Sequence, residues 1–180
     1  MINANKLVII LLVFAIVLIA ILYFIVWQFY FSCAGYVYDG KCTVKSPSVM
    51  KEVIKVKLYF SNSKMDPEYS CNKVFSIDRS IFKTQSVARA ALEELLKGPA
   101  ETEKSAGFFT SINPGVKIQS LRIENGTAYV DFDEQLEKAI GGSCKVSAIR
   151  AEIVQTLQQF PTVKNVVISI NGRVDDILQP

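Results

Sequence analysis

The chain has 180 residues, with 20 basic and 17 acidic side chains and a formal net charge of +3. That balance gives no basic field for nucleic acid. The absence of histidine excludes Ser-His-Asp and Cys-His catalysis and every metal site that needs imidazole.

The apolar residues are unevenly spread. Leu7–Trp27 is an unbroken apolar run, about 31 Å long as a helix at ~1.5 Å per residue, enough for a bilayer core. Tyr23, Trp27 and Tyr30 cluster at its far end, where an aromatic belt meets the headgroups. A cleaved signal peptide is one rival, but its apolar stretch runs only ~7–15 residues. A lipoprotein is another, because Cys33 follows the run. Tyr30, however, stands where a lipidation motif needs leucine. The expectation is a short tail over 1–6, an uncleaved transmembrane anchor over 7–31, a juxtamembrane linker over 32–51 and a folded domain over 52–180.

Lysines flank the run on both sides, so charge does not fix its orientation. The four cysteines, Cys33, Cys42, Cys71 and Cys144, fit neither a zinc ribbon nor a Cys-x-x-Cys redox pair. They allow three full pairings. Structural disulfides in an oxidising compartment are favoured over four free thiols. A Cys71–Cys144 bond closes a loop worth roughly 4 kcal/mol in the chain-entropy picture. The domain is therefore expected outside the cytoplasm, with the N-terminus inside.

Structure begins near Val53. Ile54, Val56, Leu58 and Phe60 alternate with polar residues as in a half-buried strand. A Pro-containing loop is expected over Ser61–Ser70 and a second short strand over Lys73–Asp78. Ser86 is placed to cap a helix through Lys97, with Val87, Ala88, Ala91, Leu92, Leu95 and Leu96 on one face and Gly98-Pro99 as its stop. Strands over Val116–Glu124 and Thr127–Phe132 flank Asn125-Gly126, a strong hairpin signal. A phase slip at Gln119-Ser120 predicts a bulge. Asp133 is placed to cap a short turn. A longer helix then opens at Ser143 or Ser147, with Val146, Ile149, Ile153 and Leu157 as its stripe. Val163–Ile170 closes the order as a strand.

Each helix has one apolar stripe and each strand one buried face. The predicted class is α+β: a two-layer sandwich, one mixed β-sheet with two main helices on one face, preceded by the transmembrane helix.

Several blocks carry a resemblance. The run from Val87 to Pro99 is one. Others are Gly107 with Ile112-Asn113-Pro114-Gly115, and Glu124 through Phe132. Thr156 through Val163 and Ile168 through Gly172 complete the set. In this order and spacing, over about Lys55–Asp176, the chain resembles the sporulation and spore germination (GerMN) domain family. The resemblance implies a bacterial envelope protein whose domain stands outside the plasma membrane. It also implies spore-envelope or peptidoglycan-linked roles and a fold similar to ring-building modules of secretion machines. It brings no catalytic residues. Relatives of this type can carry two copies; this chain has room for one.

A few short motifs carry possible chemistry of their own. Ser61-Asn62-Ser63-Lys64 has the Ser-x-x-Lys spacing of penicillin-binding enzymes but lacks their helical setting, and reads as a turn. Asp131, Asp133 and Glu134 gather three carboxylates that fit acid–base work or a cation, against helix capping as the structural reading. Asn125-Gly126-Thr127 is formally a glycosylation sequon, and reads as the hairpin turn. Arg79 beside Asp78 either pairs locally or marks a binding edge. Phe108 and Phe109 are either a docking site or the floor of the core.

No cofactor is expected. The leading expectation is a non-enzymatic envelope protein that binds a protein or peptidoglycan partner, or self-associates, through an open edge at the first or last strand. The alternatives are a cell-wall hydrolase or transferase using the carboxylates near Asp131, and a signal-receiving ectodomain acting through a partner.

Overall fold

The computed structural model describes residues 4–33 and 52–179, with side chains in the first stretch given for 12–28. The chain divides into two compact units, Met1–Met50 and Lys51–Pro180.

The first unit contains helix α1, Ala4–Cys33. Every side chain described in it, from Leu12 to Gln28, is exposed. Among the described residues no helix is long and apolar enough to cross a membrane; those side chains cover less than the ~20 residues a span requires. Cys42, most of the expected linker and the side chain of Cys33 lie outside the described residues.

The second unit runs β1 (Val53–Asn62), β2 (Phe75–Phe82), α2 (Val87–Leu96), α3 (Glu101–Ser105) and β3 (Phe108–Phe109). It continues with β4 (Ile118–Glu124), β5 (Thr127–Phe132), a 3-10 turn (Glu134–Leu136), α4 (Ser143–Gln158) and β6 (Asn165–Ile170). The expected single sheet is corrected to two three-stranded sheets, β2-β1-β3 and β4-β5-β6. The cause is at the inner edge of β1. Only Ser61 and Asn62 find a strand there, opposite Phe109 and Phe108; the preceding backbone groups are bound by side chains of α4, as described below.

Both sheets and both long helices still share one core, which joins Leu58 and Phe60 of β1 to Leu92 and Leu95 of α2. Val130 and Phe132 of β5 and Ile149, Ile153 and Leu157 of α4 complete its centre. The class is α+β, with apolar helix stripes and strand faces turned to a common interior.

β1 and β2 pair antiparallel in unbroken register from Val53↔Phe82 to Phe60↔Phe75. β2 extends four residues past its expected end at Asp78. Arg79 breaks the apolar pattern in sequence, yet it lies half-buried with its charge matched by Glu103 and Glu94. β1 also runs two residues further than expected, because Ser61 and Asn62 are buried among polar partners. Gly107 makes this join possible: its φ is +97°, and a Cβ there would sit 2.9 Å from Asn62 Oδ1.

In the second sheet β4 and β5 are antiparallel, with the register shift between Ile118 and Ser120. Asn125 and Gly126 both adopt positive φ, 50° and 80°, as a type I′ hairpin requires. β5 and β6 are parallel, joined through α4. Asn171 and Gly172 form a second turn of the same kind, closed by mutual hydrogen bonds between Ile170 and Arg173.

Candidate functional site

The distinctive polar feature of the domain is a ladder between α4 and the inner edge of β1. Residues 152, 156 and 159 are one helical turn apart and share a face; residues 57, 59 and 61 of a strand point their backbone groups to one side. Gln159 Oε1 accepts from Lys57 N at 2.7 Å, and Gln159 Nε2 donates to Lys57 O at 2.6 Å. Tyr59 N donates to Thr156 Oγ1 at 3.1 Å. Ser61 donates to Glu152 through both its N–H and its hydroxyl. The helix thus supplies the partners that a neighbouring strand would otherwise provide.

Glu152 is fully buried. Thr110 Oγ1 donates to its Oε2 at 2.5 Å and Ser111 N to its Oε1 at 3.0 Å. Burial pushes its carboxyl up to about 7, against the lowering effect of the donors from Thr110, Ser111 and Ser61. The group binds three chain segments together: β1, the stretch after β3, and α4. Being sealed, it holds structure rather than meeting a substrate.

At the start of α4, Cys144 Sγ is bonded to Cys71 Sγ, 73 residues earlier. The bond ties the β1–β2 loop to the helix. In that loop, the Ser70 N–H holds the Asp66 carboxyl below its usual range, aided by the Ser70 hydroxyl and Lys73 and opposed by burial. Tyr69 stacks on Phe109, with ring centroids 5.6 Å apart.

The residues singled out from sequence are dispersed. Arg79 Nη2 meets Glu103 Oε2 at 2.5 Å and Nη1 donates to Gly98 O at 3.4 Å, so it clamps β2 to the α2–α3 corner. Phe108 packs against the core and Phe109 lies under Tyr69. Asp131 Oδ1 accepts from Ser169 Oγ at 2.6 Å and Gly172 N at 2.9 Å, which fastens the second Asn-Gly turn.

Asp133 makes no side-chain cap, contrary to expectation. Its Oδ1 accepts from Lys117 N and its own N–H donates to Lys117 O, prolonging the β4–β5 ladder. Ser61 of the Ser-x-x-Lys spacing ends a strand, and Lys64 Nζ donates to Ser105 O. Among the described residues no group of three or more Cys, Asp or Glu is placed to hold a metal ion.

Sequence reading missed Glu152, Thr156 and Gln159. The one available signal was a carboxylate and a hydroxyl set i, i+4 beside the buried stripe of Ile149 and Ile153, which resembles an ordinary solvated flank.

A family model described as "Sporulation and spore germination" matches residues 57–176. The spore germination protein GerM of Bacillus subtilis (strain 168) is 30% identical over 119 residues, covering 64% of this chain and 31% of that protein. The chain thus spans less than a third of the length of that relative. Among solved structures, the tandem GerMN domains of the sporulation protein GerM from Bacillus subtilis align with a TM-score of 0.54 at 21% identity. They cover 68% of this chain and 41% of theirs. The first GerMN domain of the same protein aligns with a TM-score of 0.53 at 22% identity, over 67% of this chain and 85% of its own.

Proposed function

The chain belongs to the sporulation and spore germination family and carries a GerMN-like domain, and from that premise we propose a non-enzymatic binding module displayed outside the plasma membrane on an N-terminal transmembrane helix. Its partner is an envelope protein, the peptidoglycan, or a second copy of itself. The observation that carries this reading is α1: Leu12–Gln28 exposes Leu, Ile, Val and Phe on all sides. A helix that is apolar all round needs lipid or a protein interior as its surroundings. The Cys71–Cys144 bond supports an oxidising compartment for the domain. A binding role rather than turnover is supported by the carboxylates near Asp131, whose oxygens already serve Ser169, Gly172 and Lys117.

The test is alkaline extraction of membranes, combined with membrane-impermeant thiol labelling of intact cells with and without reductant. The expected result is a protein retained in the membrane pellet, with Cys71 and Cys144 labelled from outside only after reduction. A protein released to the soluble fraction, with both thiols free, overturns the proposal. Turnover of purified peptidoglycan that is lost in Asp131→Asn or Asp133→Asn would replace the binding role with a hydrolytic one.

A further inference from the structure

The sequence holds two Asn-Gly pairs, Asn125-Gly126 and Asn171-Gly172, and the fold sets both in the same kind of turn. Their φ values match closely, 50° and 80° at the first and 49° and 78° at the second. Both asparagines are exposed, so access to water does not separate them. In such a pair the glycine N, unshielded by any side chain of its own, can attack the asparagine side-chain amide.

The attack has a geometric condition. In a type I′ turn the first central residue has ψ of about +30°, which points the next N–H away from that residue's own Cβ. Flipping the single peptide between the two central residues gives type II′, with ψ of about −120°. The glycine N then eclipses the asparagine Cβ and faces its Cγ. Glycine accepts the change in the sign of φ that the flip demands. Only the asparagine C=O and the glycine N–H move, so the cost of the flip depends on what holds those groups.

At the first turn nothing holds them. Among the described residues, Asn125 O, Gly126 N and the Asn125 side chain have no hydrogen bond. At the second turn the same groups are clamped. Gly172 N donates to Asp131 Oδ1 at 2.9 Å, and Gln119 Nε2 donates to Asn171 Oδ1 at 2.6 Å. Ser169 Oγ, 2.6 Å from the same Asp131 oxygen, steadies that carboxylate.

We infer that Asn125 is a site of spontaneous covalent modification, and that Asp131 protects the matching site at Asn171. Gly126 N gives its proton to hydroxide and bonds to Asn125 Cγ. The C–N bond of the side-chain amide breaks, and ammonia leaves with a proton from water. Water then opens the succinimide ring at either carbonyl, giving aspartate or isoaspartate. Aspartate puts a carboxylate near the Lys164 side chain, which lies beside Gly126. Isoaspartate adds a backbone atom within a two-residue loop whose length sets the strand register. Gly126 O also accepts from Lys164 N at 2.7 Å and Asn165 N at 3.1 Å, so the change reaches the start of β6. The inference goes beyond the proposed membrane display and does not depend on it.

The test incubates the full chain in detergent at mildly alkaline pH, folded and, in parallel, unfolded in guanidinium with the disulfide intact. Peptide mass spectrometry reads the mass gain of amide-to-acid conversion at each site. In the folded chain Asn125 is expected to convert about tenfold faster than Asn171, the ratio that one hydrogen bond to a charged acceptor supplies. In the unfolded chain the two rates are expected to converge. Equal rates in the folded chain, faster conversion at Asn171, or a difference that survives unfolding overturns the inference. A folded chain still intact at Asn125 when the unfolded one has converted does the same. In Asp131→Ala, with a steady Asn125 rate as the check on folding, Asn171 is expected to convert faster; an unchanged Asn171 rate overturns the protective role. In the converted fraction the amides of Lys164 and Asn165 are expected to exchange faster with solvent, and unchanged exchange removes the effect on β6.

Discussion

Helix α4 is fastened to the first sheet and its loop in two different ways, and the difference concerns what each fastening can withstand. At its start the attachment is covalent and half-buried, where Cys144 reaches Cys71 in the loop between β1 and β2. In its second half the attachment is polar, a run of Glu152, Thr156 and Gln159 against Ser61, Tyr59 and Lys57, buried at Glu152 and Thr156 and partly open to solvent at Gln159. The covalent tie acts chiefly by limiting the unfolded chain. The polar ladder acts on the folded state, because the backbone groups it satisfies would otherwise be stranded at a strand edge. One is sensitive to reductant, the other to protons.

The largest expected effect comes from cutting the covalent tie. The bond spans 73 residues of sequence, and its removal costs roughly 4 kcal/mol in the chain-entropy picture. Denaturant unfolding of Cys71→Ser/Cys144→Ser in detergent, compared with the oxidised chain, should show an unfolding free energy lowered by that amount. A change under about 1 kcal/mol would mean that the ladder alone fixes the helix.

These two fastenings also differ in how far they can be read without coordinates. Cysteines are few and chemically distinctive, so Cys71 and Cys144 stand out even while their pairing stays open among three arrangements. The stripe of Val146, Ile149, Ile153 and Leu157 follows from periodicity and is buried as expected. Glu152 gives no such signal. Its identity as a buried group depends on Ser61, Thr110 and Ser111, which are at least 41 positions away in sequence for the two donors after β3. The same reason hides the split of the sheet. Alternation in β1 reports which face is buried, but it does not report whether the edge meets a strand or a helix. Arg79 misleads in the opposite direction: a charge in the inward phase shortens the predicted strand, because its partners Glu94 and Glu103 come from later elements.

Protonation of Glu152 is the next largest effect. Its carboxyl titrates near 4.5 when unfolded and at about 7 when folded. Between those values the folded chain holds the proton more tightly, so stability falls as pH rises through the window. The contribution is fully present below about pH 4.5 and lost above about pH 7, on the order of 3 kcal/mol. Asp66 has the opposite sign, since its lowered value makes stability fall only on acidification below the ordinary carboxylate range. Thermal unfolding between pH 5 and 8 should therefore show a decline that Glu152→Gln flattens. An unchanged slope in Glu152→Gln would place the proton linkage elsewhere.

The smallest effect isolates one rung. Thr156 is fully buried and its hydroxyl oxygen accepts the Tyr59 N–H. Thr156→Val keeps the shape and removes that acceptor, leaving a partly buried donor unmatched at about 1–2 kcal/mol. Because the substitution adds no titrating group, its cost should be nearly the same at pH 5 and pH 8, unlike that of Glu152→Gln. The two sites are one turn apart on α4 and grip the same edge of β1. A double-mutant cycle should therefore give a coupling of about 0.5 kcal/mol or more. If the two losses simply add, each rung holds β1 independently, and the helix does not act as a continuous substitute for a strand.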